Sequence, residues 1–182
     1  MATRETLKDL QARLATRLDK ARSTNIALTW LAVTAGSMHY LFPLRQSGEI
    51  LPSPQLRAVP RTKNWFLGVV NVRGSLFGTV DLADFVAQFY WRDPKPYSTS
   101  VVDESQAPSI VTFHPALEVN CALQVSALSG LRSADSFTSA VPALTGAPRY
   151  FGNQFFDAQN VCWQEINLQE LSQTPEFLNI ST

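Results

Sequence analysis

The sequence predicts a mainly β protein built of small barrels, on three observations. Apolar residues alternate with a period of two in several short runs, turn residues separate those runs at close intervals, and one run is an almost complete hairpin. That run is WFLGVVNVRGSLFGTVDL, from Trp65 to Leu82, which reads as a strand, a tight Arg73-Gly74 turn and a second strand. Short strands with frequent turn signals are the pattern of small β-barrels. At 182 residues with 45% apolar content, the chain is one ordinary domain in size and able to bury its own core.

Taken in order, residues 6 to 22 place Leu7, Leu10, Leu14 and Leu18 on one stripe at helical spacing, and Thr6 with Asp9 forms a capping box. This predicts an amphipathic helix within residues 1–25, packed on its own barrel or, alternatively, docked on a partner. From Leu28 the pattern changes to alternation. Thr29, Leu31, Val33 and Ala35 oppose Trp30 and Ala32, a turn falls at Gly36-Ser37, and Met38, Tyr40, Phe42 and Leu44 continue a hairpin. The segment LPSPQLRAVP, Leu51 to Pro60, is a connecting loop because Pro52, Pro54 and Pro60 deny ladder hydrogen bonds.

In the Trp65 hairpin, Trp65, Leu67, Val69 and Asn71 fall on one side and Phe66, Val70 and Val72 on the other. Gly68 and Gly78 leave room for another backbone, and Gly74 supplies the positive φ of a short turn. Arg73 is thereby held in place, which suits carboxylate recognition. Asp81 then caps a short helix in which Leu82, Phe85, Val86 and Phe89 share a face. The polar, proline-containing stretch from Trp91 to Pro108 reads as a link between two halves of a domain covering residues 26–180. Strands resume at Ile110 to Phe113 and Val119 to Val125, Ser133 to Pro148 is expected to be mobile, and a last strand runs from Val161 to Ile166. Asn167 caps LQELSQ, and Thr174-Pro175-Glu176 starts a short C-terminal helix.

Composition excludes several classes. The formal net charge is zero, so no global positive field is available for phosphates or an anionic bilayer. The charge is nevertheless split: residues 1–92 carry 12 Lys and Arg against 6 acids, and residues 93–182 carry 3 against 9. That asymmetry would steer a head-to-tail association, or else reflects two solvated faces. No apolar run reaches the length of a membrane span and the N-terminus lacks a signal-peptide core, so a cytoplasmic protein is expected. Cys121 and Cys162 read as small core hydrophobes in a reducing compartment.

Catalytic chemistry finds little footing. His39, His114 and the two cysteines fit no zinc spacing, Gly74-Ser75 lies inside a hairpin rather than on a nucleophile elbow, and phosphate-loop and dinucleotide fingerprints are absent. Asp81 and Asp84 are explained by helix capping. Neither an enzyme nor a resident cofactor is expected. The rival reading is nucleic-acid binding by a small barrel, since Arg57, Arg61, Lys63 and Arg73 cluster near Trp65 and Phe66. Against it, the patch is small and the second half acidic.

The hairpin resembles the CheW-like coupling proteins of bacterial chemosensory arrays. The matching residues are Val59-Pro60, Trp65, Gly68-Val69-Val70-Asn71-Val72-Arg73-Gly74 and Val80-Asp81-Leu82. Pro43 to Pro52, PLRQSGEILP, is similar to the family's strand ending in Glu-Ile, and Ser126 to Arg132, SALSGLR, is similar to a second-half segment in which the family often has Asp at the position of Ser126. LFPLRQSGEIL and the closing PEFLNIS lean toward a pilus-associated branch. The resemblance implies two five-stranded SH3-like barrels side by side. It implies a non-catalytic adaptor that joins the cytoplasmic tip of a chemoreceptor to a CheA-type histidine kinase in type IV pilus (twitching) signalling, recruited to membrane receptor arrays. The receptor tip would lie between the barrels and the kinase on the first barrel. Carried onto this chain, the partner-binding residues are Glu49, Ile50, Val69, Val70, Asn71, Val72 and Arg73, and Arg73 is expected to pair with Glu49.

Overall fold

The computed structural model describes residues 29–52, 54–89 and 107–182. The helix expected before residue 26 and most of the link near 91–108 lie outside the described residues. The leading hairpin forms as predicted, with β1 (Thr29–Ala35) paired to β2 (Met38–Pro43) and a turn at Gly36-Ser37. A short turn of 3-10 helix, Leu44–Gln46, leads into β3 (Ser47–Pro52). The Trp65 hairpin is β4 (Phe66–Val72) and β5 (Ser75–Asp81), followed by α1 (Leu82–Phe89). Asp81 caps α1 as expected, its Oδ1 accepting from the Asp84 N–H at 3.0 Å. Then come β6 (Ser109–Phe113), β7 (Cys121–Val125), β8 (Ala127–Ser133), β9 (Ser139–Val141), β10 (Phe151–Phe156) and β11 (Cys162–Ile166). The chain closes with α2 (Leu168–Ser172), capped by the Asn167 side chain, and α3 (Pro175–Leu178).

The strands form two barrel-like sheets, one with the order β8-β1-β2-β11-β10-β9 and the other β3-β6-β7-β5-β4. Five strands per barrel therefore holds for one sheet only; the other has six. The extra strand is β9, within the segment expected to be mobile. It lies along β10 with Phe156 opposite Ser139 and Gln154 opposite Val141, which covers a sheet edge that would otherwise be bare. Each sheet is joined within its strand order by a non-local parallel pairing, β2 with β11 in one and β5 with β7 in the other. Strands β6 and β7, which follow the link, join the sheet of β3, β4 and β5, so each sheet takes strands from both ends of the sequence.

Among the described residues, three apolar clusters hold the two sheets. The largest draws Leu31, Val33 and Phe42 from one sheet, Val80, Val111 and Leu123 from the other, and Phe85, Leu171 and Phe177 from the helices. Each sheet also has a smaller cluster of its own: Trp30, Ala32, Leu41 and Trp163 in the first, and Val70, Val72, Ile110 and Ala122 in the second. Strands β1 and β6 are consequently buried on both faces, which blurs their alternation. Trp65 enters the central cluster while Val70 and Val72 face the other way, as their alternation requires, and Phe66 also packs against the central cluster, across the register shift between Phe66 and Gly68.

Candidate docking edge on the second sheet

The turn that carries Arg73 is set by backbone geometry. Val72 pairs with Ser75, leaving Arg73 and Gly74 as a two-residue loop with φ of 51° and 90°. Positive φ at both positions is the type I′ turn that suits the twist of a hairpin, and it is rare for a residue with a side chain. Asn71 offsets that cost: its Oδ1 accepts from the Gly74 N–H at 2.8 Å and fixes the loop.

Strands β3 and β4 are the two edges of this sheet, and the Arg73 guanidinium spans them. Its Nε lies 3.0 Å from Glu49 Oε2, with the side chains 81% and 45% exposed. The expected charge pair is present, and it braces the sheet edges from the solvent side. Alongside it, the loop after β3 folds back onto β4, where Arg57 and Val69 exchange both backbone hydrogen bonds at 2.8 Å. Gly68 makes this approach possible. A Cβ there would lie 2.2 Å from the Arg57 carbonyl oxygen, and its φ is +128°. The loop expected to be free of ladder bonds thus supplies one bridge, and Pro52 ends β3 rather than lying beyond it. A groove of about 810 Å³ runs between these segments, walled by Leu51, Leu56, Arg57, Val69, Asn71 and Leu76.

The seven residues singled out from the sequence divide in two. Glu49, Ile50, Asn71 and Arg73 are exposed, and Val69 is half-buried with its backbone engaged by Arg57. Val70 and Val72 are each 5% exposed and belong to the barrel's own cluster, so their side chains present little surface beyond it. The alternation predicted that these two share a side; that this side is the barrel interior follows from β4 curling over Ile110 and Ala122. The sequence reading missed Leu76, which lies across from Asn71 and is 62% exposed. Its place in β5, one strand over from the exposed Asn71, was the available signal.

A second polar cluster lies on the other sheet. Asp157 accepts from Trp163 Nε1 at 3.0 Å and from the backbone N–H groups of Gln159 and Val161. His39 lies against the Trp163 ring at 4.7 Å, and the Arg132 guanidinium sits 5.4 Å from that ring. Among the described residues no group of three or more His, Cys, Asp and Glu comes together as a metal site, and no helix is long and apolar enough to cross a membrane.

Two barrel-like sheets sharing one core, with an ion-paired, solvent-facing hairpin on one of them, define the fold class. The chain belongs to the CheW-like domain family, whose profile matches residues 29–151. It is similar to Protein PilI of Pseudomonas aeruginosa, with 26% identity over 171 residues that cover 93% of this chain and 89% of that protein. The fold is similar to the crystal structure of the scaffolding protein TtCheW from Thermoanaerobacter tengcongensis, with a TM-score of 0.57, 13% identity, and coverage of 79% of this chain and 92% of that one.

Proposed function

We propose that this protein is a non-catalytic adaptor that couples the cytoplasmic tip of a methyl-accepting chemoreceptor to a CheA-type histidine kinase, in a chemosensory system serving type IV pili. The observation that carries the reading is the braced Arg73 turn on a CheW-like scaffold. An adaptor of this kind works by geometry: it must present contacts in a fixed relative orientation so that a rearrangement in the receptor biases the kinase. A guanidinium fixed by backbone conformation, by Asn71 and by Glu49 loses little freedom on docking, and Ile50 and Leu76 beside it offer apolar surface. Similarity to PilI supports the pilus assignment.

The nucleic-acid alternative has lost part of its basis. Of the four cations behind it, Arg73 is paired with Glu49, and the Lys63 ammonium hydrogen-bonds the Asn179 carbonyl and lies 5.7 Å from the Trp65 ring. The test is reconstitution of the purified chain with a receptor signalling tip and the kinase regulatory domain, read as complex formation and kinase activity. Ile50→Asp and Leu76→Asp should each abolish kinase binding while thermal unfolding is unchanged. A complex that forms equally well with both variants would remove this edge from the interface.

A further inference from the structure

A second groove, of about 440 Å³, differs in chemical character from the one beside the Arg73 turn: Phe85, Phe89 and Tyr150 line it together with Glu170, Glu176 and Arg149. Phe89 is 37% exposed although the other large residues of its helix face are fully buried, so the apolar face of α1 is left partly uncovered there. We propose that the groove is filled by the chain's own N-terminal segment, with the Leu7, Leu10, Leu14 and Leu18 stripe laid along Phe89 and the flanking arginines facing Glu170 and Glu176.

Charge selects this groove over the other one. Residues 1–28 carry six Lys and Arg against three acids, and at helical spacing Arg13 and Arg17 border the leucine stripe. The groove beside β4 has Arg57 as the charged side chain on its walls, and Arg73 nearby is matched by Glu49, so no acid there is left to attract a basic segment. At the second groove the balance is reversed: its walls carry Glu170 and Glu176 against a single base, Arg149, which is already 3.8 Å from Glu170. The charge split along the chain then acts within one molecule, as attraction between its two ends.

The chain also enters the described fold at a suitable place. Thr29 begins β1, and Trp30 pairs with Pro43 at the end of β2. The turn that follows is tied to the start of α2, where Gln46 Oε1 accepts from the Leu168 N–H at 2.8 Å and Gln46 Nε2 donates to Asn167 Oδ1 at 3.0 Å. α2 carries Glu170. From Leu18 to Thr29 is eleven residues, which span up to roughly 35 Å when extended.

Hydrogen–deuterium exchange on the full-length protein tests this, comparing the parent with Leu10→Asp/Leu14→Asp. Amides of Phe85 to Phe89 and Gln173 to Phe177 should exchange on the order of tenfold faster in the variant, because two leucines leave the groove. The difference should not depend on protein concentration. Phe89→Ser reads the same contact from the other wall and should speed exchange of residues 7–18. Glu170→Lys/Glu176→Lys should do likewise, and adding Arg13→Glu/Arg17→Glu should restore protection. Equal exchange in parent and leucine variant would overturn the proposal. So would protection that grows with concentration, which would place a second copy in the groove.

Discussion

Arg73 and Glu49 form an ion pair of 3.0 Å that joins the two edge strands of the five-stranded sheet through solvent rather than through its interior. With side chains 81% and 45% exposed, water and salt screen the attraction. A double-mutant cycle of Arg73→Ala and Glu49→Ala on unfolding free energy should give a coupling of about 0.2–1 kcal/mol, the range of surface pairs. Kinase binding should fall far more than stability does. A coupling of several kcal/mol would mean that the pair holds the barrel shut.

Val70 and Val72 should behave in the opposite way. Both are packed against Ile110 and Ala122, so Val70→Ala or Val72→Ala leaves a cavity and should cost about 2 kcal/mol in denaturant unfolding. Partner affinity measured well below the melting temperature should change little. A variant of full stability that cannot bind would put these valines back on the surface.

How much of this was legible in the sequence depended on range. The Arg73-Gly74 turn, the Asp81 cap and the Asn167 cap were readable because each is decided within about four residues. The pairing of Arg73 with Glu49 was reached from the family resemblance and the chemistry of a fixed guanidinium, and the structure shows it. The parallel contacts of β2 with β11 and β5 with β7 were not legible, since nothing local marks which distant strand a strand will pair with. Strand β10 escaped because the register shift between Phe151 and Gln154 breaks its period of two, and β9 because three exposed residues carry no pattern. The valines of β4 had the right alternation but no label for inside, since apolar residues occupy both sides of that strand.

Gly68→Ala should be among the most damaging single changes near the docking edge. The added methyl would meet the Arg57 carbonyl at 2.2 Å on a backbone with φ of +128°, so both the Arg57–Val69 bridge and the strand conformation must yield. A loss of at least roughly 3 kcal/mol is expected, together with faster amide exchange at Arg57 and Val69. Gly74→Ala, whose new Cβ meets nothing within 4 Å, should cost less despite its φ of +90°. Equal costs would show that conformation alone, and not the close approach, sets the requirement at residue 68.

Acid should destabilise the six-stranded sheet in two steps, through His39 and Asp157. Burial lowers the His39 pKa from its ordinary 6.5, with the Asp157 charge opposing, so the folded protein prefers neutral imidazole. The stability that this preference contributes is present above 6.5 and is lost as the pH falls below that value and the ring must charge. For Asp157 burial acts to raise the carboxyl pKa, but hydrogen bonds from Trp163 Nε1, the Val161 N–H and the Gln159 N–H, helped by Arg132, outweigh it and hold it below 3.8. Its contribution is present above 3.8 and is lost as pH falls further and the carboxylate is protonated. His39→Gln should therefore remove the step below 6.5 and leave the lower one. Asp157→Asn should remove the lower step and lower stability at neutral pH by about 1–3 kcal/mol, because the charge-assisted bonds to Trp163 and the backbone are weakened. It should also enlarge the step below 6.5, since the carboxylate that favours charged His39 is gone. Unfolding free energies measured from pH 8 to pH 3 decide the matter: a lower step that survives Asp157→Asn would assign it to other carboxylates, and an upper step unchanged by that substitution would show that the two groups titrate independently.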